Sequence, residues 1–322
     1  MASRFTDIPN EVVDQLLANL GFNDVISFAQ TCHRYCALAI PRHSEYRVVL
    51  FETGLDPTWT HLAQRLDLAH NVRAIHIGNL RAPDPYAYLG PVFHTPETLM
   101  DFDHDLSLSI CERRRDMLRA IETMTKLETL RWDWISGDMM PILPELLLAL
   151  SKVDTLRRFV FNLTPNSPAP DLHKNMDHSL LSISNLTSLH FDVNTRRVFP
   201  ASPNLLRRWL LNLSSLRFLG VQAGGLAADC DNLLFPHLRC LILLPENNAE
   251  DTLPLLKFLE KHPGIAELRW FLREGLEPVR LSESFLPNLK RLSASSSLFY
   301  ALEQAHNEPK VFLGLPSARP TA

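Results

Sequence analysis

The sequence predicts an α/β fold: a small N-terminal helical module, then an irregular repeat solenoid with a parallel sheet on its concave side and helices outside. Three observations predict it. A short motif (apolar, two residues, apolar, one residue, apolar) returns from residue 72 onward. Between its copies the apolar spacing changes from a period of two to the helical period. And the first segment of the chain carries more apolar helical surface than so small a module can cover by itself.

The N-terminal module comes first in order. Val12, Val13, Leu16, Leu17 and Leu20 recur at helical spacing and form a wide apolar stripe. Pro9 suits the first helical position, Glu11 favours the positive helix end, and Gly21 can close the C-terminus. A second helix, capped by Asn23 or Asp24, places Val25, Ile26, Phe28, Ala29 and Cys32 on its buried side. Pro41 closes the last helix of the module.

The run Ile8-Pro9, Glu11, the Val/Leu stripe and Thr31-Cys32 resembles an F-box over residues 5–45. The departures are Gly21-Phe22, which interrupts the usual inter-helix segment, and Tyr35 where that family often has Trp. The resemblance implies docking onto a Skp-type adaptor and through it a cullin, with Ile8, Pro9, Glu11, Val12, Leu16, Leu17, Leu20, Val25, Phe28 and Cys32 as the adaptor-binding set. By periodicity alone the same helices could instead cap the downstream domain.

The repeat occupies residues 46–313, before a short tail at 314–322. Tyr46, Val48 and Leu50 alternate and start the first strand. The motif then recurs as Val72-Ile75-Ile77, Leu127-Leu130-Trp132, Leu156-Phe159-Phe161 and Leu186-Leu189-Phe191. It continues as Leu216-Leu219-Val221, Leu238-Leu241-Leu243, Ile265-Leu268-Trp270 and Leu289-Leu292-Ala294. The spacings of 55, 29, 30, 30, 22, 27 and 24 residues lie mostly in or near the leucine-rich-repeat range, the first being about two units long.

Helical faces fall between the strands: Trp59, Leu62, Ala63 and Leu66; Met117, Leu118, Ile121 and Met124; Leu143, Leu146, Leu147 and Leu150. Leu205, Leu206, Trp209, Leu210 and Leu213 follow, then Leu255, Leu256 and Leu259. One strand and one helix cannot bury their apolar faces alone; stacking neighbours can. This half resembles the irregular leucine-rich repeats of F-box proteins, though the asparagine expected past the last apolar position, present for instance as Asn194, is missing from most copies. A doubly wound sheet would also alternate strand and helix, but its glycine-rich phosphate turn is missing. No Gly/Ser-rich linker separates module from repeats, so the junction should be rigid. Proline-rich stretches at 81–105 and 163–178 read as surface loops.

Composition narrows the function classes. At 322 residues, 46% hydrophobic and 21% charged, the chain has ample core. A net charge of −4 gives no electrostatic case for nucleic acid or an anionic membrane. No signal-like or membrane-spanning run is expected. Five scattered cysteines suit reduced thiols in cytoplasm or nucleus.

No catalytic, cofactor or metal site is expected. Asp101–Glu112 mimics a calcium-binding EF-hand loop, but Leu106 stands where the sharp turn needs glycine. Cys32-His33 with Cys36 lacks a second cysteine pair for zinc. His173, Asp177 and His178 lie in a proline-rich loop without a scaffold, and Arg113-Arg114-Arg115 reads as the wet side of a helix.

A partner surface can still be placed. In each strand, the residue between the last two apolar positions points away from the core. With the outward position two residues earlier, this gives Arg131, Arg158, Val160, His190, Phe218, Ile242 and Arg269 as a substrate-binding face, apolar in the middle and charged toward its ends. The functional expectation is a substrate receptor of an SCF-type cullin–RING ubiquitin ligase, binding an unidentified protein target and having no enzymatic activity of its own. The alternative is a protein-binding repeat scaffold outside ubiquitination.

Overall fold

Alternate apolar residues on an extended backbone share one side, so each motif copy is a strand with a ready-made inner face. The computed structural model describes residues 8–20, 22–40, 43, 46–51, 56, 58–78, 110–133, 143–162, 180–192, 205–227, 230–244, 252–270 and 285–294. The chain divides into two compact units, Met1–Ile135 with Glu145–Leu156, and Ser136–Pro144 with Arg157–Ala322.

The first unit opens with α1 (Asn10–Asn19), α2 (Phe22–Ala29) and α3 (His33–Ala39). Val13, Leu17, Val25, Ala29, Tyr35 and Ala39 fill their common interior, and Ile8, Leu20, Phe28, Cys32 and Leu38 pack around it. Three local expectations shift by a residue or more. Pro9 is the cap before α1, its carbonyl accepting from the amides of Val12 and Val13. Since α2 already begins at Phe22, Asn23 and Asp24 lie inside its first turn. Cys32 caps α3 rather than extending α2, because the Thr31 amide and hydroxyl both turn back onto the Phe28 carbonyl and end that helix. Gly21 lies outside the described residues.

The end of α1 is closed from a distance. Leu20 leaves the helix in an extended conformation, its amide reaching the Leu17 carbonyl at 3.2 Å and the Asn19 side chain the Gln15 carbonyl at 2.8 Å, so the remaining carbonyl capacity needs donors from elsewhere. Arg47 supplies them, donating to the Leu20 carbonyl at 2.6 Å and the Leu17 carbonyl at 2.9 Å. A cation suits the negative end of the helix dipole. The Arg47 backbone carbonyl meanwhile accepts from the amides of Arg73 and Ala74, which lead into the second strand. His43 Nε2 sits 2.8 Å from Asp14 Oδ1 and ties the middle of α1 to the same stretch.

After this junction come β1 (Val48–Phe51), α4 (Thr58–Gln64), α5 (Leu66–Ala69), β2 (Ala74–Ile77), α6 (Ile110–Thr123) and β3 (Thr129–Asp133). The helix α7 (Leu143–Ser151) contributes all but its first two residues to this unit. The strands pair in parallel, β1 with β2 and β2 with β3, with Leu50 opposite His76 and His76 opposite Arg131. Phe51 lies flat on Trp59, ring centroids 3.7 Å apart, and so seals strand to helix. Leu66, expected on the α4 face, instead opens α5 and is exposed, because α4 ends at Gln64.

The second unit runs β4 (Arg158–Asn162), β5 (Ser188–Asp192), α8 (Leu205–Leu211), β6 (Phe218–Gln222), α9 (Ala223–Ala227), a 3-10 turn (Cys230–Asn232) and β7 (Cys240–Leu244). It ends with α10 (Thr252–Glu260), β8 (Glu267–Trp270) and β9 (Arg291–Ala294). Each strand pairs in parallel with the next in chain order. Every motif copy foreseen in the sequence forms its strand. The architecture is of leucine-rich-repeat type, with repeats of unequal make-up.

Large side chains bridge neighbouring repeats here. Trp209 on α8 meets the edges of Phe159 and Phe191, and its indole N–H donates to the Ile183 carbonyl at 2.9 Å. His262, buried, lies against Phe258 and accepts from the Phe235 amide through Nε2 at 2.9 Å. Its Nδ1 therefore carries the proton and donates to the Phe258 carbonyl at 2.6 Å.

Replacing Arg47 by Ala removes both donors from the buried end of α1. We expect a loss of about 2–4 kcal/mol in urea denaturation, since charge-assisted bonds to buried acceptors go unreplaced. Proteolysis should strike the first forty residues first; an unchanged midpoint would refute the cap.

Candidate functional site

The first candidate surface is α1, a helix with two apolar faces. Val13 and Leu17 point inward and are fully buried. Val12 and Leu16, one turn apart on the other side, are 49% and 41% exposed. Leu20, a further turn on, is half-buried, while Pro9 and Glu11 are exposed beside the strip. The ten predicted adaptor contacts therefore separate. Pro9, Glu11, Val12 and Leu16 offer surface; Ile8, Leu20, Phe28 and Cys32 are half-buried; Leu17 and Val25 are interior and hold the strip from behind. Phe28 is further pinned by stacking on Tyr35, centroids 4.5 Å apart.

The module owes its shape to contacts the sequence pattern does not display. Arg34 on α3 donates to Asn10 Oδ1 at 2.6 Å and to the Ile8 carbonyl at 2.6 Å, fixing the start of α1. With Arg47 at the other end and His43 in the middle, α1 is held at three points. Burial pushes the His43 imidazole below its usual range, against the opposing pull of Asp14. Desolvation likewise lowers the Arg47 guanidinium, which stays charged at any physiological pH.

The second candidate surface is the outward strand face. In the second unit the ladder puts Val160 opposite His190, His190 opposite Gly220, Gly220 opposite Ile242, and Ile242 opposite Arg269, one continuous row as the motif alignment implied. Arg158, Ser188, Phe218, Cys240, Glu267 and Arg291 form the parallel row. Arg158 is exposed, and Val160, Phe218 and Arg269 are half-buried. Ile242 is only 2% exposed and His190 is buried, so the expected apolar centre is narrower than the pattern suggested. The cause at His190 is plain: its imidazole lies over Gly220, in the space a Cβ would need, and beside Phe218. Glycine at 220 is what leaves room for that ring.

Arg131 belongs to the first unit and is mostly buried. Its Nε donates to Asp133 Oδ2 at 2.7 Å, and His76 Nε2 reaches the same oxygen at 2.8 Å. Burial would raise the Asp133 carboxyl, but the bonds from His76 and Arg131 outweigh it and hold it below the usual range. Arg131 is thus engaged within its own repeat. Gly78, at φ +147°, packs its backbone against Asp133 and leaves no room for a side chain there.

Among the described residues no group of His, Cys, Asp or Glu could hold a metal ion. The five cysteines are free thiols. The calcium-like segment before Ile110 and the His173, Asp177, His178 group lie outside the described residues. No helix among the described residues is long and apolar enough to cross a membrane.

No family model matches the chain, and no curated protein matches its sequence. Similar solved structures include a Bacteroides fragilis protein at 12% identity and TM-score 0.40, covering 90% of this chain and 80% of that one. A Listeria monocytogenes internalin shows 12% identity and TM-score 0.30, with 91% and 78% covered. The yeast complex of Rad7 and Elc1 gives 13% identity and TM-score 0.27, with 97% and 90% covered. Likenesses at these scores carry no functional argument.

His43 and His262 set a pH dependence. Burial lowers both imidazoles in the folded chain, and those of His61 and His70 in the same direction, so unfolded histidine, near 6.5, binds its proton first. Stability should therefore fall as pH drops below about 6.5 and level off below the folded values. Urea midpoints from pH 8 to pH 5 check this, and His262→Gln should flatten the curve.

Proposed function

We propose that this chain is a protein-binding receptor: its N-terminal helices dock a Skp-type adaptor, and its repeats hold a target protein for a cullin–RING ubiquitin ligase. The observation that carries the reading is α1 itself, whose Val12 and Leu16 stay exposed although the opposite face is fully buried. Covering two half-exposed aliphatic side chains gains roughly 1 kcal/mol each. Isolated exposed leucines are common, but here two lie on one helix face fixed at three points, so little ordering cost opposes docking.

Such a receptor needs no reacting groups. Holding a target beside a charged conjugating enzyme raises its effective concentration, which is all the chemistry asks of this subunit. The strand face supplies the matching surface, with Phe218 and Val160 as apolar contacts and Arg158 and Arg269 as charged ones.

Leu16→Lys tests the docking face. A charge buried without a partner costs several kcal/mol, so a co-expressed Skp-type adaptor should no longer co-purify, while far-UV circular dichroism stays unchanged. Retention of the adaptor at wild-type yield would overturn the assignment. Substituting Val160, Phe218 and Arg269 together should abolish capture of ubiquitinated targets but leave adaptor binding intact.

One observation favours a second reading, a repeat scaffold capped by these helices: Arg47 ties α1 to the strand ladder as a cap would be tied. A cap should leave the chain monodisperse alone and indifferent to the adaptor.

A further inference from the structure

The residue immediately after each leading apolar position forms its own row. In the second unit these are Arg157, Thr187, Arg217, Arg239, Ala266 and Lys290. The parallel ladder fixes them in line. Each of the last five donates its amide to the carbonyl of the one before, at 2.8–2.9 Å. At about 4.8 Å per strand the row extends roughly 24 Å along the edge where the strands begin.

Four of the six are cations, and all four are exposed. His237 and Lys261, on the turns feeding this edge, are exposed as well. Glu260 is the one carboxylate among described residues 180–187, 212–217, 233–239, 260–266 and 285–290, and the exposed Asp154 stands three residues before Arg157 at the row's start. Glu267, the next acid along, is bound to Arg291 at 2.8 Å. Solvated faces ordinarily mix both signs. Here cations outnumber acids along an edge of a chain whose net charge is −4.

The side chains are also held there. Arg239 spends one donor on the Gly264 carbonyl at 3.0 Å, which lays its guanidinium along the edge with further donors to spare. Arg217 and Lys290 make no side-chain bond or ion pair among the described residues.

We infer that this edge is a docking surface for an acidic peptide segment of a partner protein. About seven residues of extended peptide match its length. Leu234, 64% exposed on the turn before Arg239, offers an apolar contact within the same stretch. Nucleic acid fits less well. Phe235 and Phe285, the aromatics on these turns, are buried and give bases nothing to stack on. The acidic remainder of the chain would also repel a longer polyanion. The surface uses no residue of α1 and none of the strand-face set, so it stands whether or not the chain docks an adaptor.

Fluorescence anisotropy of the full chain tests this. The probes are a labelled twelve-residue peptide alternating Glu and Gly, its Lys/Gly counterpart, and a labelled uridine twelve-mer. At low salt the Glu peptide should bind saturably, the Lys peptide should not, and added salt should weaken binding. Arg217→Glu with Arg239→Glu and Lys290→Glu should weaken it about tenfold or more. Should that variant misfold, Arg217→Gln with Lys290→Gln, which breaks no side-chain bond among the described residues, should still cost about threefold. Absence of saturable binding, equal affinity in a folded variant, or tighter binding of the uridine oligomer would each overturn the inference.

Discussion

The structure depends on one constraint: a single repeat has an apolar strand row and an apolar helix face but cannot bury both. Only a neighbour stacked in the same register removes them from water. This is why strands pair in chain order, β1 through β3 in the first unit and β4 through β9 in the second. It is also why the buried rings of Trp209 and His262 sit where two repeats must be joined. A shift of one residue in β4 would turn Phe159 and Phe161 toward solvent and strand their aromatic partners.

The same ladder determines what the outside can be. Because register is fixed from within, the outward residues fall into rows without needing contacts of their own. One row carries Val160, His190, Gly220, Ile242 and Arg269; another carries Arg158 and Phe218; the edge row carries the cations. Function on such a scaffold is a matter of which side chains occupy those positions. That suits recognition of extended or irregular partners more than it suits bond-making.

The N-terminal helices solve a different problem. Three short helices have too little core to stand alone, and local bonds satisfy the last carbonyls of α1 only in part. Arg47, beside the first strand, closes α1 with its guanidinium and opens the ladder with its carbonyl. The module is thereby joined to the first strands through one residue, and its remaining apolar strip is presented on a rigid helix.

The sequence by itself determined the period, and with it the strands, their parallel order and the inward positions, because alternation and 3.6-residue spacing are local properties that stacking can only reinforce. It also showed that the Val12–Leu20 stripe is wider than one buried face requires. It could not say which stripe residues turn inward: Leu17 and Val25 became core once α2 and α3 folded against α1. Nor could alternation tell that Ile242 and His190 would be covered, or that Arg131 would be taken up by Asp133. The His190 ring over Gly220, His76 on the Asp133 that also holds Arg131, and Arg47 on the Leu17 and Leu20 carbonyls all join residues distant along the chain. Only the tertiary structure decided them, because burial and pairing depend on what folds beside a residue, which no local period encodes.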